Sequence, residues 1–401
     1  MKNQLHLLLL AILVCCSCGK ADQDKPLSLI NQEEKVVPDA AAEPKLILDQ
    51  WSPLSLLTVS TNELAYSSGM DIGDINGDGL MDIVFGNRYF LATAEEESDW
   101  GIKKIDGAFD GHTIMFLGDE RGTGLVGMDG ARLIQLLPDL DDPNLMTAKI
   151  VAQLPKHRGS DMRAYKKVQI VTGGAEELLI TGREGIYMVE ADDMEEWSVS
   201  LIGPDAHYGQ FATGDIDRDG DEDLAAAIAV GDDYDLVWFE NPGDGSQYWN
   251  DHPLRQSIGL VDQIGLAQLD ADDRLDVILT NASQSSEELL ELRVFMQQDT
   301  GWAQQDVLVT ASDITFDLGD LDGDEDVDIA SIHDDGETGT SLWVWENNAR
   351  GDFAARMVAD NLNHANRMQL SDVDQDGDLD LLYTQSAGDV VLSLLVNKAI
   401  P

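Results

Sequence analysis

"GDIDRDGDEDLAAAIAV", residues 214–230, places four carboxylates, Asp215, Asp217, Asp219 and Asp223, within nine residues and then runs straight into apolar sequence. Like charges that close repel by about 1 kcal/mol per pair at 4 Å in water, and by more near a protein surface. In a tight loop alternate side chains turn inward, so positions 1, 3 and 5 point at one centre, and position 9 closes the shell as a strand begins. Gly220 at position 6 permits the sharp turn. Only oxygens are offered, which suits a hard cation. A flexible shell of many oxygens fits Ca²⁺, whereas Mg²⁺ demands stricter octahedral geometry and keeps its waters.

The pattern recurs in "GDINGDGLMDIV" (73–84), "GDLDGDEDVDIA" (319–330) and "SDVDQDGDLDLL" (371–382). A weaker copy, "AQLDADDRLDVIL" (267–279), has Gln268 at position 1 and Asp273 in place of glycine. A fainter one, "VQIVTGGAEELLI" (168–180), keeps only Gly174 and Glu177. Position 1 falls at 74, 169, 215, 268, 320 and 372; the later gaps are 46, 53, 52 and 52 residues, and the first, 95, is about two units. A fixed period of this size signals an array of supersecondary units.

Each loop is followed by a β-like run, such as "DLAAAIAV", "DVILT" and "DLLYT", with two further runs behind it. With the strand leading into the loop, that makes four short strands per unit, the signature of propeller blades. Beyond the N-terminus no sustained 3.6-residue apolar period appears. Six loops plus one missing slot predict an all-β, seven-bladed β-propeller; six blades with an insertion around 86–150 is the alternative. The last unit has only three strands, and "LSLLTVS" (54–60) is placed to supply the fourth and remove an open edge.

The expected ligand sets are Asp74, Asn76, Asp78, Leu80 (carbonyl) and Asp82; Asp215, Asp217, Asp219, Asp221 (carbonyl) and Asp223; Asp320, Asp322, Asp324, Asp326 (carbonyl) and Asp328; and Asp372, Asp374, Asp376, Asp378 (carbonyl) and Asp380. The weaker copy offers Asp270, Asp272 and Asp276. Four or five structural Ca²⁺ ions are expected. In the third set Glu325 replaces glycine, so backbone strain is expected there.

These loops resemble the FG-GAP/VCBS repeat family, the calcium-loop propellers that include the integrin α-subunit head. "LVWFENPGDGSQYWNDHPL" (236–254) resembles a third-strand signature of bacterial members, and "LWVWENNARGDFAARMV" (342–358) is a looser copy. The resemblance covers roughly 60–400 and lapses at 86–168 and at 169–177. It implies structural calcium in loops joining the first and second strands of a blade, on the face opposite the usual ligand-binding face.

The chain has 76 acidic and 25 basic residues, a net charge of −51. Such a surface repels nucleic acid and anionic lipid headgroups. Five divalent ions would leave most of that charge in place. Cys15, Cys16 and Cys18, the only cysteines, lie in "MKNQLHLLLLAILVCCSCGK". Its apolar run is too short to span a bilayer and has the shape of an export signal. The cysteine cluster resembles a bacterial lipoprotein signal, with Cys18 as the lipidated residue and Cys16 as the alternative. The expected organisation is a signal at 1–18, a Pro-rich flexible tether at 19–48 and the propeller at 49–401. That places the protein as an outer-membrane or cell-surface lipoprotein, with a periplasmic or secreted form as the alternative, and membrane contact only through the anchor.

Signatures of hydrolases, zinc proteases and phosphate-cradling loops are missing. His207 and His364 each stand eight residues before position 1 of their loops, and Arg163 and Arg367 occupy similar offsets. They would line the channel mouth opposite calcium as weak catalytic candidates. Trp238, Trp343 and Trp345 lie on strands and read as core between blades. The function expected is binding of a glycan or protein ligand; the alternative is a carbohydrate-active enzyme of lyase or dehydratase type with its site in the funnel.

Overall fold

The computed structural model of the chain describes residues 27–30, 45–46, 51–60 and most of 70–398. Its main breaks fall at 94–99, 106–113, 139–144, 155–164, 171–176, 192–196 and 283–288. The expected signal, with Cys16 and Cys18, lies outside the described residues, as do His364 and Arg163.

Seven antiparallel four-stranded sheets form a ring. Blade 4 shows how sequence becomes blade. Its strands Tyr208–Gly214, Asp223–Val230, Asp233–Glu240 and Asn250–Arg255 pair in chain order from the axis outward. The run "LAAAIAV" that follows the acidic loop forms the second strand. Alternate residues face opposite neighbours: Leu224 and Ala226 pack with blade 3, Ala225 and Ala227 with blade 5. A strand covered on both faces reads as a continuous apolar run rather than as alternation.

Blade 5 is built from Val261–Ala267, Asp276–Ala282, Leu290–Gln298 and Gly301–Thr310, and blade 3 from Tyr165–Val168, Glu177–Thr181, Ile186–Ala191 and Trp197–Ile202. Blade 6 uses Thr315–Gly319, Asp328–Asp334, Thr340–Glu346 and Ala354–Asp360. The six-blade alternative fails. Arg88–Leu91 and Gly101–Ile105 complete blade 1, whose first strands are Met70–Gly73 and Asp82–Phe85. Blade 2 occupies the stretch that looked like an insertion, with Ile114–Asp119, Gly122–Asp129, Arg132–Pro138 and Leu145–Gln153. Its first two strands pair up to Asp119↔Gly122, leaving two residues between them, too few for a nine-position loop. That is why this blade has no acidic signature.

Blade 7 closes the ring as expected. Arg367–Ser371, Asp380–Ser386 and Asp389–Val396 take Ser52–Ser60 as their fourth strand, in register from Ser52↔Val396 to Ser60↔Asp389. The stretch expected as a tether also contributes strands. Leu27–Ile30 bridges the outermost strands of blades 1 and 2, and Lys45–Leu46 extends blade 6.

Near the axis the blades are too close for large side chains. A Cβ on Gly214 would come within 2.6 Å of Leu275, and one on Gly319 within 2.2 Å of Leu379. Polar side chains of the innermost strands stitch neighbouring blades there. Gln263 donates to the Phe316 carbonyl at 2.5 Å and accepts from the Phe316 N–H at 3.1 Å. Asp317 accepts from the Leu370 N–H at 2.8 Å. Trp238 and Trp345 pack on the clusters between blades, as expected. Among the described residues no helix is long and apolar enough to cross a membrane.

Candidate metal centres

All the acidic loops join the first and second strands of their blades. Three of them gather carboxylates tightly. One oxygen from each of Asp215, Asp217 and Asp223 lies within 4.8 Å of the others, and Asp320, Asp322 and Asp328, and Asp372, Asp374 and Asp380, do the same. Positions 1, 3 and 9 therefore converge. Asp219, Asp324 and Asp376 at position 5 stand outside these groups, each accepting the position-7 N–H of Asp221, Asp326 or Asp378 at 3.0, 3.0 and 3.2 Å.

The loop backbone is drawn inward by its own carboxylates. Asp215 accepts from the N–H groups of Asp219 and Gly220. In blade 1 Asp74 accepts from Gly77, Asp78 and Gly79, and Asn76 donates its amide to Asp78 at 2.9 Å. Position 6 is left-handed, as the spacing predicts, at Gly79, Gly220 and Gly377. Glu325, with φ of 73°, holds that conformation without glycine, so the expected strain is present. Position 4 is left-handed too, at Arg218 and Gln375 as well as at Gly77 and Gly323. The spacing of acidic residues alone could not show this.

Burial and mutual repulsion raise the carboxyl pKa of these groups. Desolvation, then the neighbouring Asp219, raises Asp217; desolvation and Asp324 do the same for Asp322. Asp374 is pushed up to about 6 by desolvation and then by Asp376. A divalent cation is the natural counter-charge. Asp372 sharpens this: its Oδ1 is buried without a hydrogen-bond partner, while Oδ2 accepts from the Gly377 N–H. A bare carboxylate oxygen beside two further carboxylates is a donor set suited to a hard cation. In blade 7, Asp372, Asp374 and Asp380 would hold it, and their equivalents would do so in blades 4 and 6.

Position 9 has a second role that ligand counting missed. Asp82, Asp223, Asp276, Asp328 and Asp380 are all at most 1% exposed. In each, Oδ2 accepts the position-2 N–H, from Ile75, Ile216, Leu269, Leu321 or Val373. Oδ1 accepts an N–H at the end of the third strand or just beyond it, from Ala92, Asn241, Gln297, Asn347 or Asn397. Burial raises these five carboxyls to about 6 or 7. The staple explains Glu177. Blade 3 has lost its other ligands, yet Glu177 still accepts the Ile170 N–H at 2.7 Å.

The asparagines complete a link between blades. The Nδ2 groups of Asn241, Asn347 and Asn397 donate to the position-2 carbonyls of Ile170, Leu269 and Leu321, one in each preceding loop. The recurring Asn after the third strand is visible in the sequence and was the available signal.

The blade-5 loop differs. Arg274, at position 7, turns its guanidinium onto Asp272 at 2.7 Å and reaches Asp299 at 2.8 Å. Desolvation opposes ionisation of Asp272, but the Arg274 hydrogen bonds prevail and keep its carboxyl below the ordinary range. The loop is also tied to blade 6, through Ala271 N–H to the Ala349 carbonyl and Gly351 N–H to the Leu269 carbonyl. Asp270, Asp272 and Asp276 were expected as a ligand set, but here a protein cation is already paired with Asp272.

Of the four funnel candidates, His207 precedes the first strand of blade 4 and Arg367 opens that of blade 7. Arg367 interacts with Tyr165, which the sequence reading passed over.

No protein-family model matches the chain, and no curated protein does. Solved structures do. One described as BBS1N in complex with ARL6DN, soaked with mercury, is 13% identical with a TM-score of 0.51, covering 86% of this chain and 99% of that one. The same complex soaked with lead gives 10% and 0.53, covering 86% and 97%. At such identities the likeness shows the fold.

Proposed function

We propose that this chain is an exported, lipid-anchored propeller of FG-GAP/VCBS type, stiffened by calcium, that works by binding. The observation that carries it is the triple convergence of Asp215, Asp217 and Asp223 and of its two counterparts, with one Asp372 oxygen left bare. A rigid ring with metal loops on one face leaves the opposite face for a protein or glycan ligand. The partner in the BBS1N–ARL6DN structures is consistent with a protein ligand. The export signal and the cysteine cluster support surface presentation on a lipid tether.

Chelation tests the metal reading. A ligand at a hundredfold excess over Kd contributes about 2.7 kcal/mol per site. Loss of three or four such ions from a domain of this size lowers the melting temperature by more than about ten degrees. A melt in EDTA that overlays the melt in calcium overturns the metal assignment. Acyl chains on the N-terminal peptide, read by mass spectrometry, test the anchor.

A further inference from the structure

Asn76–Gly77 is the one Asn-Gly pair in the chain. It occupies positions 3 and 4 of the blade-1 loop, and both residues are exposed. The other full loops carry aspartate at position 3, as Asp217, Asp322 and Asp374. Among the described residues, the three-carboxylate groups fall in those loops. Blade 1 thus places its odd ligand beside the residue type that shields its own backbone nitrogen least. A Cβ on Gly77 would meet nothing within 4 Å, and its φ of 76° keeps it in the left-handed region. The Gly77 nitrogen and the Asn76 Cγ are joined through the Asn76 backbone, so a bond between them closes a five-membered ring within the chain. Such a reaction needs no second molecule to be brought in.

Three hydrogen bonds prepare that closure. The Gly77 N–H donates to Asp74 Oδ1 at 2.7 Å. Asn76 Oδ1 accepts the Asp78 N–H at 2.9 Å. Asn76 Nδ2 donates to Asp78 Oδ2 at 2.9 Å, which fixes the amide in this orientation. We propose that Asn76 is a self-modification site, at which the loop converts its own amide to a carboxylate. The Gly77 nitrogen attacks Cγ as its proton passes to Asp74. The negative charge that builds on Oδ1 meets the Asp78 N–H. The Cγ–Nδ2 bond breaks, and ammonia leaves with a proton from solvent, giving a cyclic imide. A water molecule then opens the ring, and the Gly77 nitrogen recovers its proton. Opening at Cγ leaves aspartate at position 76, and opening at the Asn76 backbone carbonyl leaves isoaspartate. In sum, one water is consumed and one ammonia released. Blade 6 shows that the aspartate form fits the loop. There Asp322 and Gly323 hold the same two positions, and the Gly323 N–H donates to Asp320 Oδ1 at 2.7 Å. With aspartate at position 76, blade 1 carries carboxylates at positions 1, 3 and 9, as blades 4, 6 and 7 do.

The experiment is incubation of the full chain in neutral buffer with EDTA, in water enriched in heavy oxygen, followed by peptide mapping by mass spectrometry. Heavy oxygen enters at position 76, and ammonia appears in equal amount. Conversion there outpaces that at every other asparagine, and it is faster in the folded chain than in the same chain unfolded in urea. Gly77→Gln copies Gln375, which holds the equivalent position with φ of 61°, so the loop has a precedent for it. The added side chain crowds the nitrogen and slows conversion at least tenfold. Should Gly77→Gln shift the melting temperature, the comparison of folded with urea-unfolded chain carries the test. Absence of label at position 76, equal label at other asparagines, or conversion no faster in the folded chain than in urea overturns the proposal. So does a Gly77→Gln chain that keeps both its melting temperature and its rate.

Discussion

The loops of blades 4 and 5 share a plan and differ in how they manage the same charge. In blade 4, Asp215, Asp217 and Asp223 face one another with only backbone N–H groups among them. In blade 5, Arg274 fills that role from within the chain, and blade 6 braces the loop from outside. Both keep the position-9 staple, through Asp223 and Asp276. The staple is thus the invariant part of the loop, and the source of positive charge is the variable part. A repeat can exchange a soluble ion for a tethered guanidinium and still fold the same way.

The staple should give the largest effect. Asp223→Ala strands the N–H groups of Ile216 and Asn241 in the core. At roughly 1–3 kcal/mol for each unsatisfied donor, the loss is about 2–6 kcal/mol. Urea unfolding should show it with calcium and in chelator alike. A cost that disappears in chelator would make Asp223 a ligand and nothing more. Glu177→Ala should also destabilise, in a loop with no metal set to lose.

A smaller effect is expected at Arg274. Arg274→Ala leaves Asp272, beside Asp270 and Asp276 in the loop, without its internal cation. The gap between melting temperatures in calcium and in chelator should widen, as the loop comes to depend on added ions. An unchanged gap would show that Arg274 is not the substitute.

The gentlest test is pH. The five position-9 carboxyls titrate near 6 or 7 when folded, against 3.8 as the ordinary value. The folded state therefore holds more protons than the unfolded chain between about pH 4 and 7. Stability of the chelated protein should fall as pH rises through that window and level off above it. Saturating calcium should flatten or reverse the slope, because ligand carboxylates are then held ionised. A chelated protein that gains stability from pH 5 to 7 would contradict the burial of these groups.

Much of this architecture was legible in the sequence. The acidic period fixed the position of six loops, and "LSLLTVS" identified the closing strand because its run lacked a loop of its own. Blade 2 was legible only as a missing interval, since the two residues between Asp119 and Gly122 leave no room for the nine-position pattern. Reading the acidic residues only as ligands concealed the staple. Both Asp223 oxygens serve the staple while the carboxylate also faces Asp215 and Asp217, and only Glu177, stranded in a loop without ligands, separates the two tasks.

The pairing of Ser52–Ser60 with Asp389–Val396 joins segments more than three hundred residues apart. Joining such distant segments carries a large chain-entropy cost, and it cannot occur until the final hairpin has been synthesised. Six blades can therefore stack while the chain is still growing, but the wheel locks last, at a single seam. The same seam is where it should first unzip under load, so a cross-link placed there would slow unfolding more than one inside any other blade.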